Sequence, residues 1–386
     1  MRREVATVVG ALTLALLPGC TTGTPAEVEV PPDGPGVTGE APRVVGDLTL
    51  LDPVVDRAAH TASLLPDGRV LVIGGCVVDG CSDATAETEL YDPATGRFSS
   101  GADLAQPRDG HTATTLPNGD VLLVGGYTGE GERPLPAAEL YVAASGEFVP
   151  AGEMSIGRGA HAAALLDEGR VLVVGGWVGP RTFTETAEIW DPATREFTAV
   201  SSLPAARGSA TATRLPDGRV LVLGGEDEPQ HGLATSELYD PVSDTWEHGP
   251  SMAQPRFKHA AVALASGDVL VVGGTPDDNE LIAAVERFDG SAFRTAGELT
   301  EGRYKLVDAV VAVPDGRVLV AGGGQSAEAY DPATQTASTV ASIDGSRSSF
   351  ATATVLNDGS VLVVGGYDKT IDLRREAYLL GVLAPA

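Results

Sequence analysis

One pattern recurs seven times along this chain and constrains its fold more than any other feature. Each copy spans about 50 residues and contains a turn, an apolar run and a pair of glycines, as in LPDGRVLVIGG. The first glycines of the pairs are Gly74, Gly125, Gly175, Gly224, Gly273, Gly322 and Gly365. A repeat of this length that reads as β-strands predicts a circular array of sheets, and not a solenoid of helices.

Each repeat divides into four predicted strands. The first is an alternating stretch such as residues 60–65, and the Asp-Gly or Asn-Gly after it favours a tight hairpin. The second, such as Val70–Ile73, is apolar on both faces, as expected for a strand packed between neighbouring sheets. The third opens with glutamate and an aromatic residue, and the fourth follows an Asp-Pro turn. Four short antiparallel strands make one blade of a propeller.

These repeats resemble the kelch family in their paired glycines, the aromatic residue near the Asp-Pro turn and the outer Trp or Phe. The outer position holds Trp246 in one repeat, small residues in the sixth, and Phe98, Phe148, Phe197 and Phe293 in others. The resemblance covers residues 43–383. It implies an all-β fold, a seven-bladed β-propeller of four-stranded antiparallel blades, similar to the central domain of galactose-oxidase-like proteins.

The two ends of the repeat region suggest how the ring closes. The last repeat stops soon after its third strand, whereas an apolar segment at residues 43–51 precedes the first repeat. We predict that this segment is the outer strand of the last blade, because closure removes the exposed edge of an open array. The propeller domain is then residues 43–386.

The N-terminal residues predict export. Arg2 and Arg3 precede an apolar run and the ending Leu-Pro-Gly-Cys at Cys20. A basic start, an apolar core and small residues at the end are typical of a secretory signal. The ending resembles the bacterial lipobox, which implies cleavage after residues 1–19 and a lipid on Cys20. A plain signal peptide with an incidental cysteine is the alternative.

Residues 20–42 are rich in proline and glycine and almost lack large apolar side chains, so we predict a flexible tether. We therefore expect an exported protein, lipid-anchored to the bacterial cell envelope at the outer membrane or cell surface. It would contact the membrane only through the lipid on Cys20. The formal charge of −27 argues against nucleic acid as a partner, since phosphates need Lys or Arg for neutralisation.

Two charged residues recur in register. An arginine precedes each first strand, at Arg57, Arg108, Arg158, Arg207, Arg256, Arg303 and Arg347. A glutamate opens each third strand, at Glu89, Glu139, Glu188, Glu237, Glu286, Glu328 and Glu376. Because every repeat carries one of each, we interpret them as structural ion pairs and not as a catalytic ring.

Histidine recurs in four repeats at the start of the first strand, as His60, His111, His161 and His259. Ala210, Leu306 and Phe350 take this position in the others, which favours a packing role. Residues one blade apart lie too far from one another to share a metal ion, so we predict no metal site. We predict no cofactor and no catalytic residue.

Cys76 and Cys81 lie in the loop after the first Gly-Gly pair. The chain has three cysteines, which excludes a four-cysteine zinc site. In an oxidising envelope a disulfide between Cys76 and Cys81 is expected, with a redox-active pair as the alternative.

The loops after the Gly-Gly pairs differ between repeats, and variable loops on a rigid frame are where recognition usually occurs. We predict that they share one face and bind a ligand through Tyr127, Trp177, Arg181, Glu226, His231, Asp277 and Tyr367. These residues could equally be solvated loop side chains. The sequence favours a monomeric binding module for a protein, peptide or glycan. An extracytoplasmic enzyme acting on glycans, as an isomerase, hydrolase or oxidase, is the alternative.

Overall fold

Antiparallel strands dominate the computed structural model, which describes residues 43–45, 48–53, 55–79, 82–129, 134–342, 348–374 and 376–381. These residues belong to one compact unit, Gly39–Ala386. The predicted signal peptide and tether, with Cys20, and also Cys81 and Arg347 lie outside the described residues. None of the helices within the described ranges has the length and apolar character needed to cross a bilayer.

The described strands form one four-stranded antiparallel unit per repeat, numbered here as blades 1 to 7. Blade 1 contains β3 (Thr61–Leu64), β4 (Val70–Ile73), β5 (Thr88–Asp92) and β6 (Arg97–Ser100). Blade 2 contains β7 (Thr112–Thr115), β8 (Val121–Val124), β9 (Ala137–Val142) and β10 (Glu147–Glu153). Blade 3 contains β11 (Ala162–Leu165), β12 (Val171–Val174), β15 (Ala187–Asp191) and β16 (Glu196–Val200), with a 3-10 turn at Asp167–Gly169. Blade 4 contains β17 (Thr211–Arg214), β18 (Val220–Leu223), β21 (Ser236–Asp240) and β22 (Thr245–His248).

Blades 3 and 4 each carry a small extra hairpin after the Gly-Gly pair. These hairpins are β13 (Trp177–Gly179) with β14 (Thr182–Phe183), and β19 (Glu226–Glu228) with β20 (His231–Gly232).

Blade 5 contains β23 (Ala260–Ala263), β24 (Val269–Val272), β25 (Ala284–Phe288) and β26 (Phe293–Glu298). Blade 6 contains β27 (Val310–Ala312), β28 (Val318–Val320), β29 (Ser326–Asp331) and β30 (Thr336–Ser342). A single parallel bridge from Glu298 to Thr336 joins blades 5 and 6.

Blade 7 is completed from the other end of the chain. It contains β31 (Thr352–Val355), β32 (Val361–Val364) and β33 (Ala377–Leu380). The N-terminal strand β2 (Leu48–Leu51) pairs with β33, and β1 (Arg43–Val45) pairs with β2 as a fifth strand. The predicted closure by an N-terminal strand is therefore confirmed, and the closing element is a hairpin.

The second strand of each blade lies between two neighbours and is buried on both faces. In blade 1, Val70 and Val72 pack with residues of blade 7, whereas Leu71 and Ile73 pack with residues of blade 2. Burying each such side chain contributes about 1.5–3 kcal/mol relative to exposure. No blade can bury both faces alone, so the blades must stack in a ring.

A ring of backbone hydrogen bonds marks the axis on one face of the propeller. Each first strand contacts the first strand of the next blade, and β31 contacts β3. Just before these strands, seven residues bond in a closed cycle, each N–H donating to the preceding carbonyl at 2.8–3.3 Å. We call this cycle the axial ring: Ala59, Gly110, Ala160, Ser209, Lys258, Lys305 and Phe350.

All seven residues of the axial ring have left-handed backbone angles, with φ between 47° and 59°. This conformation costs a residue with a Cβ about 1–2 kcal/mol, and the hydrogen bond to the next blade offsets that cost. The ring therefore fixes where the neighbouring side chains lie.

Candidate functional site

The structure brings six of the predicted Arg–Glu pairs together within the described residues. The Nη2–Oε distance is 2.8 Å for Arg57–Glu89, 2.6 Å for Arg108–Glu139 and 2.9 Å for Arg158–Glu188. It is 3.3 Å for Arg207–Glu237 and 2.6 Å for Arg256–Glu286, and Arg303 pairs with Glu328 in the same way. These arginines are at most 2% exposed.

Each of these arginines also donates from Nη1 to the carbonyl of the first glycine of its own blade, as Arg57 does to Gly74 at 2.7 Å. The second carboxylate oxygen of the glutamate commonly accepts a backbone N–H from the preceding connection, as Glu139 does from Ala105 at 2.8 Å. Burial lowers the pKa of Arg108, and the carboxylate of Glu139 partly offsets that effect. Both terminal nitrogens of the guanidinium thus bond inside the frame, although Nε of five of these arginines is buried without a partner among the described residues, and the pairs act as scaffold.

Blade 7 departs from this arrangement. Ser348, and not Arg347, occupies the position of Arg57, because Ser348 Oγ donates to Gly365 O at 2.8 Å. The neighbouring bridge Ser349–Tyr367 has the same register as Ala58–Cys76 in blade 1. The expected repeat position at Arg347 is thus wrong by one residue. Within the described residues, the Tyr378 hydroxyl lies 3.4 Å from the carboxylate of Glu376.

The four repeated histidines each reach a threonine in the preceding blade. The Nε2–Oγ1 distances are 3.0 Å for His60–Thr352 and 2.9 Å for His111–Thr61, His161–Thr112 and His259–Thr211. Burial lowers the pKa of all four imidazoles, to about 3 for His161 and His259, so they are neutral at physiological pH. They link blades and are spread around the ring.

The remaining blades replace both partners together. Where the preceding blade has alanine at the threonine position, the histidine position is apolar: Ala162 with Ala210, Ala260 with Leu306, and Ala309 with Ala351. Ala351, and not Phe350, therefore stands at the histidine position of blade 7, since Phe350 belongs to the axial ring. This paired substitution is visible in the sequence once adjacent repeats are compared.

Four of the predicted ligand residues share one register beside the axial ring. In six blades the first residue after the Gly-Gly pair forms a bridge with the residue just before the ring, as in Asp109–Tyr127, Gly159–Trp177, Gly208–Glu226 and Ser349–Tyr367. Cys76 occupies this register in blade 1, is buried and is disulfide-bonded. The predicted partner, Cys81, is outside the described residues.

Two of these aromatic rings rest on glycines of the next blade. A Cβ on Gly159 would lie 2.2 Å from Tyr127 Cε2, and one on Gly208 would lie 2.6 Å from Trp177 Cδ1. Both rings are half-buried, and Trp177 also packs against Phe183 with 4.5 Å between ring centroids. Burial raises the pKa of Tyr127. These side chains therefore pack between blades while keeping an exposed edge.

The other three predicted ligand residues lie further out. Arg181 is exposed at the turn between β13 and β14. His231 is exposed on β20, and its Nδ1 lies 2.6 Å from Asp227 Oδ1. Asp277 is exposed and accepts the backbone N–H of Asn279 and Glu280, which lowers its pKa. The structure does not bring these three together with the residues beside the ring.

Glu226 is the buried carboxylate of this face, at 2% exposure. It accepts hydrogen bonds from Ser209 Oγ at 3.1 Å and from the Gln230 N–H at 3.0 Å. Burial raises its pKa, and the nearby ammonium of Lys258 opposes that rise.

Two lysines of the axial ring were missed by the sequence reasoning. Lys258 forms an ion pair with Asp278 at 3.1 Å. Lys305 donates to the Tyr367 hydroxyl, and its Nζ lies 4.9 Å from the ring centroids of Tyr304 and Tyr367. Phe350 contributes a third aromatic face at 5.3 Å. Burial, helped by the charge of Lys258, lowers the pKa of Lys305 to about 7.

A signal for the two lysines exists in the sequence. The chain contains three lysines, and Lys258 and Lys305 both stand two residues after the repeat arginine, in consecutive repeats. The axial ring otherwise holds uncharged residues. We call Lys258, Asp278, Lys305, Tyr304, Phe350 and Tyr367 the lysine cluster.

Two further carboxyl groups near the axis are perturbed by burial. Asp109, which bridges to Tyr127, has its pKa raised to about 7. Asp308 precedes the first strand of blade 6, and desolvation raises its pKa to about 6. Asp308 is nevertheless solvent-exposed, so we assign it no role at the site. Across the described ranges, no three His, Cys, Asp or Glu side chains converge as a metal ion would need.

Comparison with known proteins supports the fold. Residues 158–204 and 208–253 match the Kelch motif. Kelch domain-containing protein 9 from Homo sapiens is 32% identical over 103 residues, which are 26% of this chain and 28% of that protein. The match therefore spans less than a third of the human relative.

Two solved structures superpose over most of the chain. A fungal alcohol oxidase of the AA5 family, in complex with copper, has a TM-score of 0.69 at 16% identity over 86% of this chain and 75% of its own. The structure of YjhT has a TM-score of 0.58 at 12% identity over 85% and 95%. At these identities the likeness concerns the fold alone. Residues 158–253 thus carry Kelch motifs, and the closed ring of four-stranded antiparallel sheets has the fold of a kelch-type β-propeller.

Proposed function

We propose that this protein is a binding module that recognises a protein, peptide or glycan through the loops after its Gly-Gly pairs. One observation carries the proposal: these loops place different side chains in one register around the axial ring, on a frame that otherwise repeats. Tyr127, Trp177, Glu226 and Tyr367 share that register, although Thr275 and Cys76 fill it in other blades. Variation confined to loops on a rigid scaffold is typical of recognition surfaces.

The test is binding of the immobilised full chain to peptide and glycan arrays. Trp177→Ala and Arg181→Ala should weaken capture of a ligand by about tenfold or more, since tryptophan and arginine side chains dominate many interfaces. The matched control is Val242→Ala, because Val242 is 94% exposed in the turn between β21 and β22. That turn is at the opposite ends of the strands from the Gly-Gly loops. Equal binding by all variants would contradict the proposal.

We also propose that the protein is held on the bacterial cell envelope by a lipid on Cys20. Two or more acyl chains hold a protein stably on a bilayer. Mass spectrometry of the protein purified from a membrane fraction should detect a diacylglycerol thioether on an N-terminal Cys20, and Cys20→Ser should move the protein to the aqueous fraction. Retention of Cys20→Ser in the membrane would contradict this anchor.

A glycan-acting enzyme is the second candidate. Lys305 favours it, because an amine with a pKa of about 7 can exchange protons near neutral pH. Copper chemistry of the kind named for the AA5 oxidase does not fit the described residues at the axis. They offer lysines, aromatic rings and paired carboxylates there, while the repeated histidines contact threonines between blades. Turnover of array-identified glycans that Lys305→Met abolishes, with binding intact, would establish catalysis.

A further inference from the structure

Lysine is scarce in this chain, and its placement is uneven. The protein has a formal charge of −27 and three lysines, two of which occupy adjacent positions of the axial ring. Lys305 N–H donates to Lys258 O at 2.8 Å, so the two side chains start from neighbouring backbone positions. Packing alone does not need cations there, because Ala59, Gly110 and Ala160 fill the same ring positions elsewhere.

The two ammonium groups differ in their partners. Lys258 is neutralised by Asp278, whose two oxygens lie 3.1 and 3.4 Å from its Nζ. Lys305 has no carboxylate within 4 Å among the described residues, where its ammonium contacts the Tyr367 hydroxyl and three aromatic faces. An ammonium carries three N–H donors. The contacts of the Lys305 ammonium with one hydroxyl and with aromatic faces compensate only part of the free-energy cost of removing it from water.

Lys305 remains accessible despite this enclosure, since its side chain is half-buried and not sealed. A ligand that reaches the centre of this face therefore meets a cation with unused donors, flanked by aromatic surfaces. We propose that the lysine cluster is a binding site for the anionic group, a carboxylate or a phosphate, of a small ligand or of a ligand's terminus. Lys305 pairs with the anion, and the half-buried rings of Tyr304 and Phe350 contact the apolar part beside it, while the buried Tyr367 positions the ammonium through its hydroxyl.

This site deepens the proposed binding function and rests on it, because it supplies the ligand chemistry at the centre of the same face. The titration of Lys305 supports the same geometry. The charged and titratable groups that face it are Lys258, Asp278, Tyr304 and Tyr367. Burial lowers the pKa of Lys305, the charge of Lys258 lowers it further, and the charge of Asp278 opposes both effects. An added anion raises this pKa above about 7, so binding takes up a proton.

The pH dependence follows from that sign. Below pH 7 Lys305 is charged in the free protein, and affinity for an anion is maximal. Above pH 7 the free protein loses that proton, and affinity falls by about tenfold between pH 6 and pH 8. An uncharged analogue of the same ligand should show no such dependence.

The experiment uses the full chain labelled with ¹³C at the lysine ε-carbons, which gives three signals assigned by Lys→Met variants. The probes are acetate, benzoate, glucuronate and inorganic phosphate, with glucose as the uncharged control. We expect one carboxylate or phosphate probe to shift the Lys305 signal saturably and to raise its apparent pKa, while glucose leaves it unchanged. The carboxylate and phosphate arms distinguish the two sources of anion. Absence of a saturable shift with every anion would overturn the site.

Variants separate this site from the broader binding function. Lys305→Met should weaken the anionic probe by about 10- to 100-fold, and Lys305→Arg should retain part of the affinity. The matched control is Lys369→Met, because Lys369 is exposed and outside the lysine cluster. Equal affinity of Lys305→Met and Lys369→Met would refute the site. Array capture that depends on Trp177 but not on Lys305 would leave the binding function standing without it.

Discussion

The arginines of the frame and the lysines of the axial ring are both cations held inside a strongly acidic protein, yet their surroundings differ. Arg108 is fully buried, with Glu139 at 2.6 Å and glycine and alanine carbonyls on its other nitrogen. Lys305 is held by a tyrosine hydroxyl and aromatic faces, without a carboxylate partner within the described ranges. The arginine arrangement occurs in six blades and the Lys305 arrangement in one. A contact that recurs in nearly every blade indicates a structural role, whereas a contact found in a single blade indicates a role in ligand recognition.

The largest expected effect is a loss of folding stability when one of the repeated Arg–Glu pairs is broken. Glu139→Ala leaves the buried guanidinium of Arg108 without its carboxylate, and should lower the free energy of unfolding by about 3–5 kcal/mol. Urea unfolding followed by circular dichroism measures it. The control is Glu147→Ala, an exposed glutamate in the same blade. Similar midpoints for both variants would show that the pair is not structural.

Removing the buried cation of Lys305 should instead increase the stability of the fold. Its pKa falls from 10.5 to about 7 on folding, so its buried ammonium costs stability below pH 7, and stability rises between pH 7 and 10.5 as the folded form releases the proton. Lys305→Met should therefore stabilise the protein at pH 6 by about 1–3 kcal/mol and lose that advantage near pH 10. Thermal melts across pH, with Lys369→Met as the control, measure it. Destabilisation by Lys305→Met at pH 6 would show that Lys305 stabilises the fold, as the repeat arginines do.

A smaller effect tests the histidine–threonine contacts between blades. His111→Leu leaves the Thr61 hydroxyl without its partner and should cost about 1–2 kcal/mol. The double variant Thr61→Ala with His111→Leu reproduces the Ala260–Leu306 arrangement of blades 5 and 6 and should recover at least half of the loss. A double-mutant cycle measures the coupling. Additive losses would mean that the paired substitution is coincidental.

The smallest effect concerns Asp109. Burial raises its pKa from 3.8 to about 7, so the folded protein binds the extra proton and stability falls as pH rises from about 4 to 7. Asp109→Asn should remove this decline and stabilise the protein by about 1 kcal/mol at pH 8. Melting temperatures from pH 4 to 8 measure it, with Asp103→Asn, an exposed position, for comparison. An unchanged slope would contradict the assigned burial.

Sequence reasoning succeeded where one physical rule applied to every repeat. Apolar second strands such as Val70–Ile73 and turn glycines such as Gly68 predicted the blades, and the requirement for closure predicted the partner of Leu48–Leu51. It failed in blade 7, where matching residue types selected Arg347, whereas backbone hydrogen bonds place Ser348 in that register.

The lysine cluster could not be predicted as a unit because its members come from blades 5, 6 and 7. The sequence does not distinguish Asp277 from its neighbour Asp278, since only the loop geometry decides which carboxylate faces Lys258. Phe350 and Tyr367 become neighbours of Lys305 only when the ring is assembled, whereas Tyr304 precedes Lys305 in the sequence. The sequence signal for this cluster is that two of the three lysines occupy the same position in consecutive repeats.

The pairing of β2 with β33 has a consequence for how the chain matures. Leu48 is synthesised long before its partner Leu380, because the whole of blades 1 to 6 lies between them in the sequence. Until then the hairpin that closes blade 7 has no sheet to join, and blade 1 lacks one of its neighbours. Assembly of the circle must therefore wait until β33 has been synthesised, and a chain truncated before β33 would expose unpaired strand edges that promote aggregation.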